Sequence, residues 1–182
     1  MDQLNQDRFQ KAVPFDAFLE STVKNADLWH ATARRVEIPL ETLARAEKIP
    51  GQWKLLVIAD DWCGDAVNSL PYIARLAELV PNWELRVIGR EVDPELMNAH
   101  LTNGTSRSIP VVIALDEEFI EHGWWGPRPA ELQQWVLGPG MEMEQDDRYR
   151  EVRRWYARDR GRTTLDEFIS LVEEAASSAT AG

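Results

Sequence analysis

The segment at residues 53–59, WKLLVIA, most constrains what this chain can fold into. Apart from Lys54 it is continuously apolar, with Pro50-Gly51 just before it and Asp60-Asp61 directly after. A run this short, bounded by turn residues, reads as a strand buried on both faces of a sheet. Such a sheet needs helices to cover it, and the next segment supplies one. Over residues 65–79, Val67, Leu70, Ile73, Ala74 and Ala77 fall on one helical face. Buried strand, tight loop and amphipathic helix together imply an α/β architecture.

The rest of the chain extends that pattern. Residues 85–88 read as a second strand and 95–101 as a short helix. Residues 110–115 and 119–124 read as a third and fourth strand separated by the acidic turn Asp116-Glu117-Glu118, and 130–137 as a closing helix. Upstream, Phe15, Phe18, Leu19 and Val23, then Leu40, Leu43 and Ala44, show helical spacing punctuated by Pro39. Downstream of Gly138-Pro139-Gly140, Tyr149, Val152 and Tyr156 mark a helix over 147–158. Gly161 separates it from a last helix with Leu165, Phe168, Ile169 and Val172 on its apolar stripe. There Thr164 and Glu167 are expected to form a reciprocal capping box. The small residues at 175–182 are expected to fray. The expected organisation is a helical N-terminal extension at 1–50, an α/β core at 51–137 and a helical C-terminal extension at 138–182, packed as one domain.

Composition narrows function by exclusion. The 182 residues carry 31 acidic and 20 basic side chains, a formal net charge of -11, so phosphates would be repelled and no nucleic-acid partner is expected. The longest apolar stretches, 55–59 and 109–115, fall short of the ~20 residues that span a bilayer, and residues 1–8 are too polar for an export signal. A soluble cytoplasmic protein without a membrane partner is the expectation. One cysteine excludes an intrachain disulfide and a multi-cysteine zinc site, and His30, His100 and His122 lie far apart, so no metal is expected. Residues 141–162 hold seven arginines against six acids, leaving 13 basic and 25 acidic residues elsewhere. That island reads as a solvated helix face laced with acids. The alternative is anion binding, in which Arg128 or a tail arginine holds the carboxylates of a small thiol; the spacing selects no particular one.

The lone cysteine sits where the fold gives it chemistry. Asp60-Asp61-Trp62-Cys63-Gly64-Asp65-Ala66 lies between the buried strand and the amphipathic helix, which puts the Cys63 sulfur at a helix N-terminus. Unpaired N–H groups and the helix dipole favour a thiolate there. A buried, inert cysteine is the alternative.

These residues resemble the thioredoxin superfamily. Trp62-Cys63-Gly64 is similar to the start of its W-C-G-P-C loop, and Ser108-Ile109-Pro110, leading a strand 47 positions after the cysteine, to its cis-proline segment. The resemblance covers roughly residues 53–137 and implies a thioredoxin-like central mixed sheet flanked by helices. With the Trp-Gly-Pro-Arg-Pro run at 125–129, the chain looks like a bacterial thioredoxin-like branch with W-C-G-D loops. By that resemblance Cys63 is the nucleophile, Pro110 faces the thiol, Ile109 offers backbone groups to an extended substrate, and Trp62 and Gly64 help bind it. Pro110 as a plain strand start and Trp62 as plain core packing are the alternatives. Of the adjacent Trp124 and Trp125, at most one is expected in the core on one side of the sheet.

The departures from the family are equally informative. The resolving cysteine is replaced by Ala66, the loop proline by Asp65, and the buried strand carboxylate by Val57. Asp60, Asp61 and Asp65 are the candidates to take over its proton-accepting role. Each carboxylate at ~7 Å would oppose a thiolate by roughly 0.6 to 2.4 kcal/mol, against about 0.3 to 2 kcal/mol from the helix terminus. Cys63 is therefore expected to be less acidic than an ordinary thioredoxin nucleophile. The other reading makes Asp65 a favourable first-turn acid and leaves Asp60 and Asp61 as solvated loop residues.

Two functions follow. The first is a monothiol thiol–disulfide oxidoreductase: Cys63 forms a mixed disulfide with a disulfide-containing protein or small-thiol disulfide, and an external thiol such as glutathione or bacillithiol resolves it as co-substrate, with no resident cofactor. The second is a thioredoxin-like binding module without redox turnover. A sulfur sealed beneath the C-terminal helices would favour the second.

Overall fold

The computed structural model describes residues 1–180. The N-terminal region holds helix α1 (Gln3–Lys11), the two-residue strand β1 (Val13–Pro14), and helices α2 (Phe15–Ser21), α3 (Ala26–Arg35) and α4 (Leu40–Glu47). Strand β2 (Trp53–Ile58), helix α5 (Gly64–Leu79), strand β3 (Trp83–Ile88) and helix α6 (Pro94–Ala99) follow. Strands β4 (Val111–Leu115) and β5 (Glu121–Trp125) lead to helix α7 (Ala130–Leu137). A 3-10 turn at Pro139–Glu142 and helices α8 (Gln145–Asp159) and α9 (Arg162–Thr180) complete the described chain.

The continuous apolar run does what its composition demands. β2 lies at the centre of a five-stranded sheet of order β1-β3-β2-β4-β5, and only Lys54 within it is not buried. It runs parallel to β3, joined through α5, and antiparallel to β4. β5 adds antiparallel to β4, and β1 adds antiparallel to the outer edge of β3. This is a mixed, thioredoxin-like sheet flanked by helices. Leu70, Ile73 and Leu76 of α5 and Phe168, Ile169 and Val172 of α9 belong to the same apolar core as the sheet, each burying its side chain completely.

Several local expectations need correction. The N-terminal extension is not purely helical, because Val13 and Pro14 pair with Val87 and Arg86 as an edge strand. α1, which the polar opening residues hid, is capped by Asp2 and anchored by the single buried aromatic Phe9. Val23 lies beyond α2 and is exposed, so it does not continue the stripe of Phe15, Phe18 and Leu19. Leu40 of α4 is exposed and Ala46 takes the buried place instead. β5 starts later than expected because Phe119 adopts φ +61 in the turn, where the Asp116 carboxylate accepts the N–H groups of Glu118 and Ile120. Trp125 is buried and Trp124 is partly exposed, as the alternation requires.

The C-terminal helices depart most. Tyr149 lies exposed on α8, and Tyr156 alone of the three spaced residues is buried. α9 begins at Arg162, which places Thr164 inside its first turn with the side chain buried, so the Thr164–Glu167 box does not form. Asp159 accepts the N–H and hydroxyl of Thr163 instead. Glu167 reaches across to accept the Trp125 indole N–H and the Ala130 N–H at 2.8 Å each, capping α7 rather than its own helix. α9 does not fray from residue 175: it runs on to Thr180 with Ala175 and Ala176 buried, and residues 181–182 of that expectation lie outside the described residues. No helix of the described residues is long and apolar enough to cross a membrane.

Candidate thiol site

The loop after β2 delivers Cys63 to the N-cap of α5. A turn closed by the Cys63 N–H to the Asp60 carbonyl, 3.2 Å, sets its direction. The sulfur then accepts the Ala66 N–H at 3.4 Å as the cap of the helix. Across the sheet the Ile109–Pro110 peptide is cis, and the Cys63 S–H donates to the Ile109 carbonyl at 3.3 Å. The Cys63 sulfur therefore reaches the cis Ile109–Pro110 segment through the Ile109 carbonyl. The residue is 6% exposed, Ile109 is buried beside it, and Val57 is fully buried in β2.

Gly126 holds the opposite side of this contact. Its φ is +135, and a Cβ there would lie 2.1 Å from the Pro110 carbonyl oxygen, so only glycine lets the β5–α7 connection come this close to the cis-proline loop.

The three aspartates separate. Asp65 stays at the site: Arg128 Nη2 contacts its Oδ2 at 2.9 Å and the Tyr156 hydroxyl donates to its Oδ1 at 2.8 Å. Its carboxylate thus ties α5 to the loop before α7 and to α8. Asp61 turns toward the N-terminal region, where its carboxylate accepts the N–H groups of Val23 and Lys24 at 2.7 and 2.8 Å. Its carbonyl accepts the Trp29 indole N–H at 2.8 Å. Asp60 is half-buried, and burial raises its pKa against the opposing pull of the Arg90 N–H and charge.

These placements set the thiol. The Cys63 pKa is pushed up to about 11, first by burial and then by the Asp65 charge, against the N–H groups of Ala66 and Asp65 and the charge of Arg128. The expected low acidity therefore holds, but burial is the main cause rather than the aspartate cluster. Burial likewise pushes Tyr156 well above its ordinary range, so its hydroxyl is a donor at neutral pH.

Outside this closed centre, Trp62 is 49% exposed, with the Arg90 guanidinium 5.1 Å from its ring centroid. It is an apolar surface beside the thiol, not a core residue. Gly64 heads α5 with nothing within 4 Å of where a Cβ would stand. Sequence reasoning missed Tyr156 as a site residue, did not select Arg128, and gave no role to Gly126. One signal was available: a tyrosine on the inner stripe of a strongly charged helix must find a partner for its hydroxyl once buried. Among the described residues no cluster of three or more His, Cys, Asp or Glu side chains could hold a metal ion.

A family model described as Thioredoxin matches residues 12–150, most of the chain and all five strands of the sheet. Two solved structures share the fold. One is a protein of unknown function from Pseudomonas aeruginosa, with TM-score 0.72 and 21% identity, covering 92% of this chain and 96% of that one. The other is an HIV epitope-scaffold, with TM-score 0.73 and 20% identity, covering 93% and 97%. No curated protein matches the chain.

Proposed function

The chain belongs to the thioredoxin family, and on that premise we propose that it is a thioredoxin-like binding module whose cysteine does not turn over in redox chemistry. One observation carries this reading: the Cys63 thiol is buried and donates a hydrogen bond to the Ile109 carbonyl. With a pKa of about 11, roughly one molecule in ten thousand carries a thiolate at pH 7. The chain holds no second cysteine to release a mixed disulfide. Exposed Trp62, next to Cys63 in the same loop, supplies the apolar surface that such a module would present.

A second reading is favoured by the approach of Cys63 to the cis Pro110 segment, the arrangement the family uses for thiol exchange. Here Cys63, once deprotonated, attacks a substrate disulfide R–S–S–R. A Cys63–S–S–R disulfide forms, and the other RS leaves as thiolate and takes up a proton. A glutathione thiolate then attacks the R sulfur of that bond, releasing Cys63 and the mixed disulfide R–S–S–glutathione, so the substrate disulfide is exchanged and one R thiol is freed.

Intact mass measurement after incubation with oxidised glutathione at neutral pH separates the two. The binding-module reading expects unmodified protein. An adduct on Cys63 that forms within minutes and is removed by reduced glutathione overturns it in favour of monothiol exchange.

A further inference from the structure

A groove of about 1660 Å³ opens between the N-terminal helices α3 and α4 and the C-terminal helices α8 and α9, with Asn68 and Tyr72 of α5 between them. It gathers arginines from distant parts of the chain. Arg34 and Arg35 come from the end of α3, Arg153 from α8, and Arg160 and Arg162 flank Gly161 at the turn into α9. All five are exposed, and none makes an ion pair among the described residues. On a chain with 31 acidic side chains against 20 basic ones, setting five guanidinium groups around one groove with no ion pair is a specific arrangement. Tyr72 lies on the floor of the groove, within electrostatic reach of Arg35, Arg160 and the single carboxylate Asp159. Arg45 also lines the groove, but Asp166 and Glu173 already engage it at 2.5 and 2.7 Å.

The lining is not purely charged. Leu28, Ile38 and Leu40 line the α3–α4 wall, and Leu40 is 82% exposed. The volume exceeds the roughly 300–1000 Å³ of pockets that enclose a small ligand. Glu37 and Glu41 on the same wall would repel a phosphate backbone charged at every unit, whereas a peptide can set apolar residues opposite them. A chain with carboxylates spaced by apolar residues satisfies both kinds of lining at once.

We infer that this groove docks an acidic segment of a partner protein, with its carboxylates on Arg34, Arg35, Arg153, Arg160 and Arg162 and its apolar residues on Leu28, Ile38 and Leu40. This goes beyond the reading of Cys63, with which the groove shares Tyr156.

Fluorescence anisotropy of an end-labelled peptide of mixed Glu, Asp and Leu tests the inference on the full chain. Saturable binding that weakens with salt is expected, with a loss of roughly tenfold or more in an Arg35→Glu, Arg160→Glu, Arg162→Glu variant. Each single reversal, checked for folding by circular dichroism, should weaken it in part. Arg154→Glu, on α8 but outside the groove, and Cys63→Ser should bind as the parent does. Binding lost in Cys63→Ser but kept in the triple variant would place the partner at the thiol and overturn the groove. Absence of saturable binding, an equal loss in Arg154→Glu, or tighter binding of inorganic tripolyphosphate or single-stranded DNA than of the peptide would also overturn it.

Discussion

At the scale of the residue, Cys63 couples the protein's stability to alkaline pH. Its pKa is about 11 in the folded chain against an ordinary 9.0, so the folded state holds this proton more tightly than the unfolded state. The contribution is fully present below pH 9 and is lost as pH rises through 11. At about 1.4 kcal/mol per unit it amounts to roughly 3 kcal/mol. Urea unfolding of the parent and of Cys63→Ser at about pH 8 and about pH 11 should show a steeper loss for the parent. The iodoacetamide alkylation midpoint of Cys63 should lie well above 9 in the same protein. Parallel pH profiles for parent and variant, or a midpoint near neutrality, would show that the thiol is neither buried nor held protonated in solution. Much of this was readable in advance: Cys63 at a strand-to-helix junction and Pro110 ahead of a strand both leave local signatures. The clamp on Asp65 was not, because Tyr156 lies 91 positions away and a single hydroxyl contact leaves no periodic trace.

At the scale of the element, the turn between α8 and α9 fixes how the C-terminal hairpin meets α5. Gly161 has φ +75, and a Cβ there would lie 2.4 Å from the Tyr72 ring. Gly161→Ala is expected to cost about 1 to 3 kcal/mol, since backbone conformation and ring contact both resist it. Gly64→Ala is the contrast: its Cβ would enter open space at the head of a helix. A lowered melting temperature for the first and a near-parental one for the second checks the pair. The helices themselves were legible wherever one face repeats, as in α5 and α9. Their ends were less so. The Thr164–Glu167 pattern matches a capping box in sequence, yet the start of α9 at Arg162 turns Thr164 inward and frees Glu167 for Trp125 and Ala130. Local sequence carries the motif, and tertiary packing decides which backbone N–H groups it serves.

At the scale of the whole molecule, the regions outside the α/β core are structural members of the fold. Phe168 is completely buried and packs edge-on to Trp83 of β3, with ring centroids 6.0 Å apart. Arg45 joins α4 to α9 through Glu173 and Asp166. Phe168→Ala is expected to destabilise the protein by about 3 to 5 kcal/mol, read from the urea midpoint. A loss below about 1 kcal/mol would mean that α9 merely rests on the core. Because Asp61 is fastened to residues 23–29 and Asp65 to α8, the short loop carrying the sulfur is held from both ends of the chain. Release of residues 23–29 or of α8 therefore frees one anchor of that loop. The one cysteine is thereby a built-in clock for opening of the native state, and its labelling rate in mild denaturant counts the moments when the two ends let go.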